Sequence, residues 1–332
     1  MGPISGFSGN GLKPASGDGQ WLLLVNPRAG SGISKAGLRW VSAHLKNAGI
    51  SHETVLTDSP GQLVDYAAMA SSRGYSGIIA HGGDGTLSHV ATGLIRAKST
   101  IPISIIPHGN GNDWARAVGV SSLRQTIEAI NRGTSIRLDA AECLVRDREG
   151  SNIQSSIFVN SAGIGLDAHV LQKTLVLRRR LRLGRMGYIT SLLSTVAAMP
   201  EWIGKVDVDG ETVFEGPYLS MTCGVGPYMG GGMRLSPSST PVDDMLDTAL
   251  IRPVSRVNLL KSLPMVYRGN LLEHPAVSSW RGREMVLRAR GRLKMELDGE
   301  PIVDLPENSS VFLRSIPSAF LAMVHQQKAR DL

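Results

Sequence analysis

Residues 77–87 read GIIAHGGDGTL: an apolar run, then three glycines around one aspartate, then the start of a helical pattern. The run at 77–80 shows no alternation, so it predicts a strand covered on both faces. Glycines between a buried strand and a helix cost backbone entropy, which points to something that must approach the main chain closely. The same grammar extends outward. Trp21–Val25 is a second continuous apolar run, followed by a glycine loop and a helical pattern through Leu38, Val41 and Leu45. His52–Leu56 predicts a strand, 62–70 a helix started by Ser59-Pro60, 87–95 a helix, and 103–106 a fourth strand ending in PHGNGND. Strand, loop and helix in repetition predict a doubly wound parallel sheet, whose ligands bind beyond the carboxyl ends of its strands.

The pattern changes near residue 135. Segments 136–145, 156–159, 205–208, 218–223, 247–251, 284–288 and 293–297 are short, often alternating, and bounded by Gly, Pro, Asp or Asn. They predict an antiparallel, sandwich-like sheet domain. Helices are predicted near 170–180 and 188–199, and a last one at 319–327 capped by Ser318. The expected division is a flexible tail at 1–20, an α/β domain at 21–134, a β-rich domain at 135–315, and a segment at 316–332 that packs back on the first domain. The cleft between the two domains is the expected active site.

Composition narrows the partners. The 332 residues are 42% hydrophobic and 19% charged, an ordinary globular balance with 38 glycines. A net charge of +7 favours anionic partners: nucleotide phosphates, an anionic membrane face or nucleic acid. Only 5% of residues are aromatic and no zinc-finger spacing is present, which argues against nucleic acid. Two distant cysteines, Cys143 and Cys223, exclude a disulfide scaffold and fit a reducing, cytoplasmic compartment. Residues 1–20 lack the apolar core of a signal peptide, and Pro3 directly after Gly2 does not suit myristoylation. No apolar run approaches the roughly 20 residues of a spanning helix, so any membrane association is expected to be peripheral.

Three loops carry the chemistry. In Asn26-Pro27-Arg28-Ala29-Gly30-Ser31-Gly32 the glycines can bring backbone N–H groups against phosphate oxygens, although the loop is not a Walker P-loop. An Asn-Pro turn alone is the plainer reading. In His81-Gly82-Gly83-Asp84-Gly85-Thr86 the aspartate can hold a magnesium-bound water or a ribose hydroxyl, and Thr86 can donate to a phosphate; the competing reading is an Asp-Gly turn that caps the next helix. In Pro107-His108-Gly109-Asn110-Gly111-Asn112-Asp113 the carboxylate is either functional or a plain N-cap for a helix starting at Trp114.

Taken in order, LLLVNPRAGSG, GGDGTL and PHGNGND resemble the diacylglycerol kinase catalytic-domain family, which includes bacterial lipid kinases and the sphingosine and ceramide kinases. FVNSAGIGLDA, MGGGMRLSP, DDMLD and ELDGEP also resemble family segments, so the likeness runs over nearly the whole chain. The resemblance implies a first domain of NAD kinase/phosphofructokinase-like fold that binds nucleotide and a second that binds lipid and metal. It implies ATP and Mg as cofactors and a lipid alcohol at the membrane surface as substrate. Nucleotide contacts would fall on Asn26, Pro27, Arg28, Ala29, Gly30, Thr57, Gly83, Asp84, Gly85, Thr86, Leu87, Ser88, His89, Asn110, Asn112 and Asp113. Asn110 stands where threonine is usual, and Ser88-His89 replaces a common asparagine-glutamate.

The resemblance further implies a magnesium turn with Asp243 as side-chain ligand and backbone oxygens from Thr240 and Met245. Asp244 replaces the usual glycine there, and an aspartate tolerates positive φ better than most residues. It also places the catalytic acid in Asp298-Gly299-Glu300. In an extended segment both carboxylates share a face, and proximity would poise one as a base. The earlier Asp209-Gly210-Glu211 carries the same three letters and predicts a hairpin with an Asp-Gly turn. Lys173, Arg178, Arg179, Arg180, Arg182 and Arg185 form a leucine-studded basic stretch. It reads either as a face for anionic lipid headgroups or as a solvated helix with leucines turned inward. The competing functions are an NAD kinase-type nucleotide kinase, a non-catalytic lipid or nucleotide binder, and a charge-driven nucleic-acid binder. The identity of the lipid and the oligomeric state, a homodimer included, stay open.

Overall fold

The structure is a computed structural model and describes residues 19–132, 135–181, 194–195, 201–302, 305–330 and 332; in 175–181 and at Leu263 only the backbone is described. It divides into two compact units. The first runs to Gly109 and adds Val120–Ile136 and Phe320–Ala329; the second comprises Asn110–Gly119, Arg137–Ala319 and Arg330–Leu332.

The first unit is built on parallel strands β1 (Trp21–Val25), β2 (His52–Leu56), β3 (Gly77–Gly82) and β4 (Ile103–Pro107) in the order β2-β1-β3-β4. Its helices are α1 (Lys35–Asn47), α2 (Pro60–Ala70), α3 (Asp84–Arg96) and α5 (Leu123–Arg132). The unbroken apolar strands exist because both faces are covered. Leu23, Val25, Ile79 and Ile106 join Val41 and Leu45 of α1, with Ile127 and Ile130 of α5 packed against them. The residues of opposite parity, Leu22, Leu24, Ile78 and Ala80, are equally inaccessible to solvent. Ser59 caps α2 by accepting from the Gln62 amide, with Pro60 at the first turn. Helix α5 was not expected.

The segment expected to be a helix at 319–327 is instead the end of β16 (Ser310–Met323), whose Ala322 pairs in parallel with Ile103. The reason lies in the partner. Phe320, Ala322, Met323 and Val324 are all buried, a pattern that fits either period, and pairing with β4 decides for the strand; Ser318 lies inside it and caps nothing.

The second unit begins with the five-residue helix α4 (Asp113–Ala117), and its strands form two antiparallel layers around one core. One layer contains β5 (Ser135–Arg146), β6 (Asn152–Phe158), β8 (Trp202–Val208), β9 (Glu211–Tyr218), β13 (Glu284–Arg290) and β16. The other runs β12-β11-β10-β7-β14-β15, with β7 at Ser161–Gly165, β10 at Ser220–Gly224, β11 at Leu246–Ile251, β12 at Val277–Gly282, β14 at Met295–Leu297 and β15 at Glu300–Ile302. Side chains of both layers, among them Phe158, Trp202, Tyr218, Met221, Met285, Met295 and Leu313, share the interior. Helix α6 (Leu166–Leu181) and the unexpected α7 (Arg256–Arg268) complete the unit. Of the helix expected at 188–199, only 194–195 are described.

Two helices of the first unit approach so closely that one glycine decides their packing. A Cβ on Gly93 of α3 would collide with the Val64 carbonyl oxygen of α2 and lie 2.7 Å from Ala67 Cβ. Helix propensity favours alanine by about 1 kcal/mol, whereas packing opposes it. We expect Gly93→Ala to destabilise the fold by about 2–4 kcal/mol in urea unfolding. Gly61→Ala, where a Cβ meets only Ser59 Oγ at 3.9 Å, should be neutral or stabilising. Equal effects at the two glycines would overturn the packing argument.

Candidate active site

The loops after β1, β3 and β4 meet at one edge of the first unit's sheet. Asn26 Nδ2 donates to Thr86 Oγ1 at 3.0 Å, while Asn26 Oδ1 accepts the Arg28 amide at 3.0 Å. His108 is tied in from the third loop: its amide donates to the Gly82 carbonyl at 2.8 Å, and its Nε2 lies 2.9 Å from the Gly32 carbonyl. Glycine is required at two of these contacts. Gly30 has φ +57° and a Cβ there would strike the His108 carbonyl; a Cβ on Gly83 would sit 2.9 Å from Gly109 Cα. Gly83 then opens α3 without a side-chain cap, and Asp84, Gly85 and Thr86 form its first turn. Amides at such a terminus carry the positive end of the helix dipole and suit an anionic ligand.

The other residues of this loop set take varied positions. Pro27, Ala29 and His89 are half-buried, and Arg28 and Gly30 are exposed. Thr57 is buried, with its hydroxyl on the Val25 carbonyl at 3.1 Å. Leu87 and Ser88 face the interior, so any ligand contact there belongs to the backbone. Under the loops lies His81, whose imidazole pKa is lowered to about 4 by burial and by the neighbouring His108. The imidazole is therefore neutral at physiological pH and adds no charge beneath the loops.

Asn110, Asn112 and Asp113 fall in the second unit. Asn110 is exposed, and Asn112 sits at φ +52° as the residue before α4. Asp113 is therefore the first helical residue and not the N-cap. Its buried carboxylate accepts from the amides of Gly231 at 2.7 Å and Gly232 at 2.6 Å, and pairs with Arg116 at 2.6 Å. These bonds make it an anchor for the MGGGM turn.

The acidic turn at 240–247 is held from both sides. Asp243 Oδ1 accepts the Met245 amide at 3.0 Å, and its Oδ2 is ion-paired with Arg281. Asp244 adopts φ +64° and gives its amide to Asp139 at 2.8 Å. Thr240 Oγ1 is buried with no hydrogen-bond partner among the described residues. The donors are all oxygen, as a hard cation requires, but Arg281 already stands against the carboxylate. Among the described residues no cluster of three or more His, Cys, Asp or Glu side chains is arranged for a metal.

The last acids correct an expectation. Asp298 is not extended: it has φ +47° and Gly299 φ +80°, so the pair forms a tight turn between β14 and β15. Asp298 and Glu300 therefore do not lie on one strand face. The Asp298 carboxylate is buried and accepts three consecutive amides, Val159 at 2.8 Å and Asn160 and Ser161 at 2.9 Å each. Glu300 opens β15 and is exposed. The twin turn has the same dihedral signs at Asp209 and Gly210, but its aspartate accepts the amides of Arg283 and Glu284 at the rim of the other sheet.

The acids that do meet are two that sequence reasoning missed. A Cβ on Gly163 would strike Asp167 Oδ2 and lie 2.6 Å from Glu296 Oε1 and from the Met229 methyl. Those two oxygens are buried without hydrogen-bond partners among the described residues. The remaining oxygens are engaged: Asp167 Oδ1 accepts from Ser220 Oγ at 3.0 Å, and Glu296 Oε2 accepts the Gly299 amide at 2.6 Å. Burial raises the Asp167 carboxyl to about 6. Burial and then Asp167 push Glu296 well above the usual carboxylate range, with Asp298 and Asp113 adding to the push. Two carboxyls crowded against one glycine in a buried site disfavour each other's ionisation. The available signal was Asp167 inside the apolar GIGLDA and Glu296 between Met295 and Leu297.

Of the basic stretch, Lys173 is half-buried on α6. The side chains of Arg178, Arg179 and Arg180, and all of Arg182 and Arg185, lie outside the described residues. Among the described residues no helix is long and apolar enough to cross a membrane.

Comparison with known proteins adds to this geometry. Residues 20–143 match the family model for the diacylglycerol kinase catalytic domain, and residues 160–323 match the YegS C-terminal NAD kinase beta sandwich-like domain. The diacylglycerol kinase of Bacillus subtilis (strain 168) is 23% identical over 84% of this chain and 88% of its own. The crystal structure of a diacylglycerol kinase from Bacillus anthracis str. Sterne superposes with a TM-score of 0.68 at 18% identity, over 93% of this chain and 98% of that one. Yeast NADH kinase complexed with NADH superposes at 0.53 and 12% identity, over 95% of this chain and 86% of that one. At these identities the two structures speak for the fold.

The buried pair makes a signed prediction. Unfolded, both carboxyls titrate near 4; folded, burial raises Asp167 to about 6 and Glu296 well above the ordinary carboxylate range. The folded state therefore binds more protons in this window, and the pair's stabilising contribution is present in acid and lost as pH rises from about 4 through 6. His81 acts with the opposite sign, since its folded pKa lies below its unfolded one. Glu296→Gln keeps the bond to Gly299 and removes the repulsion. Relative to wild type, it should gain about 1–3 kcal/mol of unfolding free energy on moving from about pH 5 to about pH 8. Parallel pH profiles for the two proteins would reject the pair.

Proposed function

We propose that this chain, which belongs to the diacylglycerol kinase catalytic-domain family, is an ATP- and Mg²⁺-dependent kinase that transfers the γ-phosphoryl group to a lipid hydroxyl. The observation that carries the reading is the convergence of three glycine loops at the carboxyl ends of β1, β3 and β4, beside the N-terminus of α3. Such an edge suits a polyphosphate, because backbone amides and a helix terminus meet negative charge without competing side chains. The nucleotide would lie along Asn26, Gly30, Gly83, Asp84, Gly85 and Thr86, with Thr57 and Asn110 as further contacts.

The Asp298-Gly299-Glu300 turn supplies the acid. Asp298 spends its carboxylate on three amides, so its role is to fix the turn. Glu300, exposed at the start of β15, is the base. It takes the proton of the lipid hydroxyl as that oxygen bonds to the γ-phosphorus and the bond to the departing ADP oxygen breaks. The acceleration rests chiefly on positioning and charge stabilisation. Asp243, with the carbonyl oxygens of Thr240 and Met245, would hold magnesium by displacing Arg281. A cation there would brace the turn electrostatically. A lipid acceptor implies work at a membrane surface, in phospholipid biosynthesis, from the cytoplasmic side.

Two substitutions separate the roles. Glu300→Gln should lower kcat by about 10²–10⁴ and leave thermal stability unchanged, because the side chain is exposed. Asp298→Asn should cost about 2–4 kcal/mol of stability, since an amide cannot serve three donors. Undiminished turnover in the first variant would remove Glu300 as base. Labelled ATP offered with diacylglycerol, sphingosine, ceramide and NAD, with and without magnesium, tests the acceptor class; labelling of NAD alone would replace the lipid reading.

A further inference from the structure

Helix α7 carries an apolar stripe on its outside. Its inner face is secured by Leu259 and Val266, both buried. On the outer face Val257 is 59% exposed, Leu260 39% and Tyr267 55%, and Pro264 is exposed among them. The spacing 257, 260, 264, 267 is that of a single helical face. The helix is well formed beneath it: Ser255 caps the start through the Asn258 amide, and Gly269 closes the end in the left-handed region. A stripe of this kind on a capped, packed helix is a surface and not a frayed edge.

The charges on α7 indicate what covers the stripe. Every charged residue of the helix, Arg256, Lys261 and Arg268, is a cation, and all three are exposed. On a helical wheel Lys261 and Arg268 border the stripe on one side and Arg256 on the other. Several exposed arginines elsewhere in this unit have acidic neighbours, as Arg290 has Glu215 and Arg314 has Glu284. Among the described residues none of the three α7 cations is ion-paired. Arg256 even stands in the first turn, where a cation opposes the helix dipole. Helix stability therefore does not explain it.

We infer that α7 is a docking element for an anionic phospholipid bilayer, lying in the interface with Val257, Leu260, Pro264 and Tyr267 toward the acyl boundary and its cations among the headgroups. The inference deepens the lipid-kinase reading and rests on it for its purpose, since the acceptor would reside in that surface. A tyrosine beside aliphatic residues suits the headgroup level, where one end is apolar and the other wet. The alternative occupant of the stripe, a second copy of the chain, would bring the same unpaired cations against each other.

The test is vesicle flotation of the full 332-residue chain, with no acceptor lipid or nucleotide present, so that its outcome is independent of phosphoryl transfer. Vesicles of phosphatidylcholine mixed equally with phosphatidylglycerol should carry the wild type, and pure phosphatidylcholine should carry far less. The triple variant Arg256→Gln, Lys261→Gln, Arg268→Gln should bind the anionic vesicles about a hundredfold more weakly. Val257→Ser, Leu260→Ser, Tyr267→Ser should also lose binding, with an unchanged melting temperature. If the serine variant melts early, the glutamine variant still decides. Equal binding to both vesicle types, or wild-type binding by the glutamine variant, overturns the inference. So does a dimer in sedimentation that the serine variant splits while its flotation is unaffected.

Discussion

The Asp298 carboxylate, bonded to the amides of Val159, Asn160 and Ser161, is the contact on which the second unit's arrangement turns. At these residues the chain leaves β6 in one sheet and enters β7 in the other. A strand that changes sheets has nowhere in either ladder to spend its amides, and buried donors without partners are costly. The one side chain of Asp298 answers all three. The same residue closes the turn between β14 and β15, so the crossing of the sandwich and the presentation of Glu300 are fixed together.

The first unit meets a different constraint. Its loops must bring backbone to backbone, as Gly30 does toward His108 and Gly83 toward Gly109. Closeness of that order leaves no space for side chains, which is why the loops are rich in glycine despite the entropy it costs. The cost is offset beneath them, where β1, β3 and β4 are buried on both faces. A soft loop set on a rigid sheet is what a ligand-gripping edge requires.

The parallel half was legible because its signals are redundant. Continuous apolar runs, glycine at the strand ends and the Ser59-Pro60 start agree with one another, and the predicted bounds of β1 and β2 match the observed ones. The antiparallel half was legible in kind but not in detail. The short β7 and β12 were missed because SAGIG and VSSWRG carry little β-branched character. The C-terminal strand was misread because a run as apolar as AFLAMV satisfies both periods and only partners decide between them. The family resemblance singled out the segment 298–300, but its turn geometry was not legible there. Nothing local distinguishes DGE at 209 from DGE at 298; the difference lies in amides contributed by residues far away in the chain.

The same logic explains why Asp167 and Glu296 escaped notice and what they imply. Asp167 follows the apolar GIGL and Glu296 lies between Met295 and Leu297, and their meeting over Gly163 depends on the pairing of β7 with β14, which sets Gly163 opposite Glu296. A pair of this kind is a poor way to gain stability, because an apolar pair of similar volume would avoid the desolvation. Its retention is better explained by position. Glu296 holds the Gly299 amide, one residue before Glu300, so the buried pair and the exposed acid adjoin a single turn. Perturbed carboxyls gather at working sites, and here one of them bonds the turn that carries Glu300.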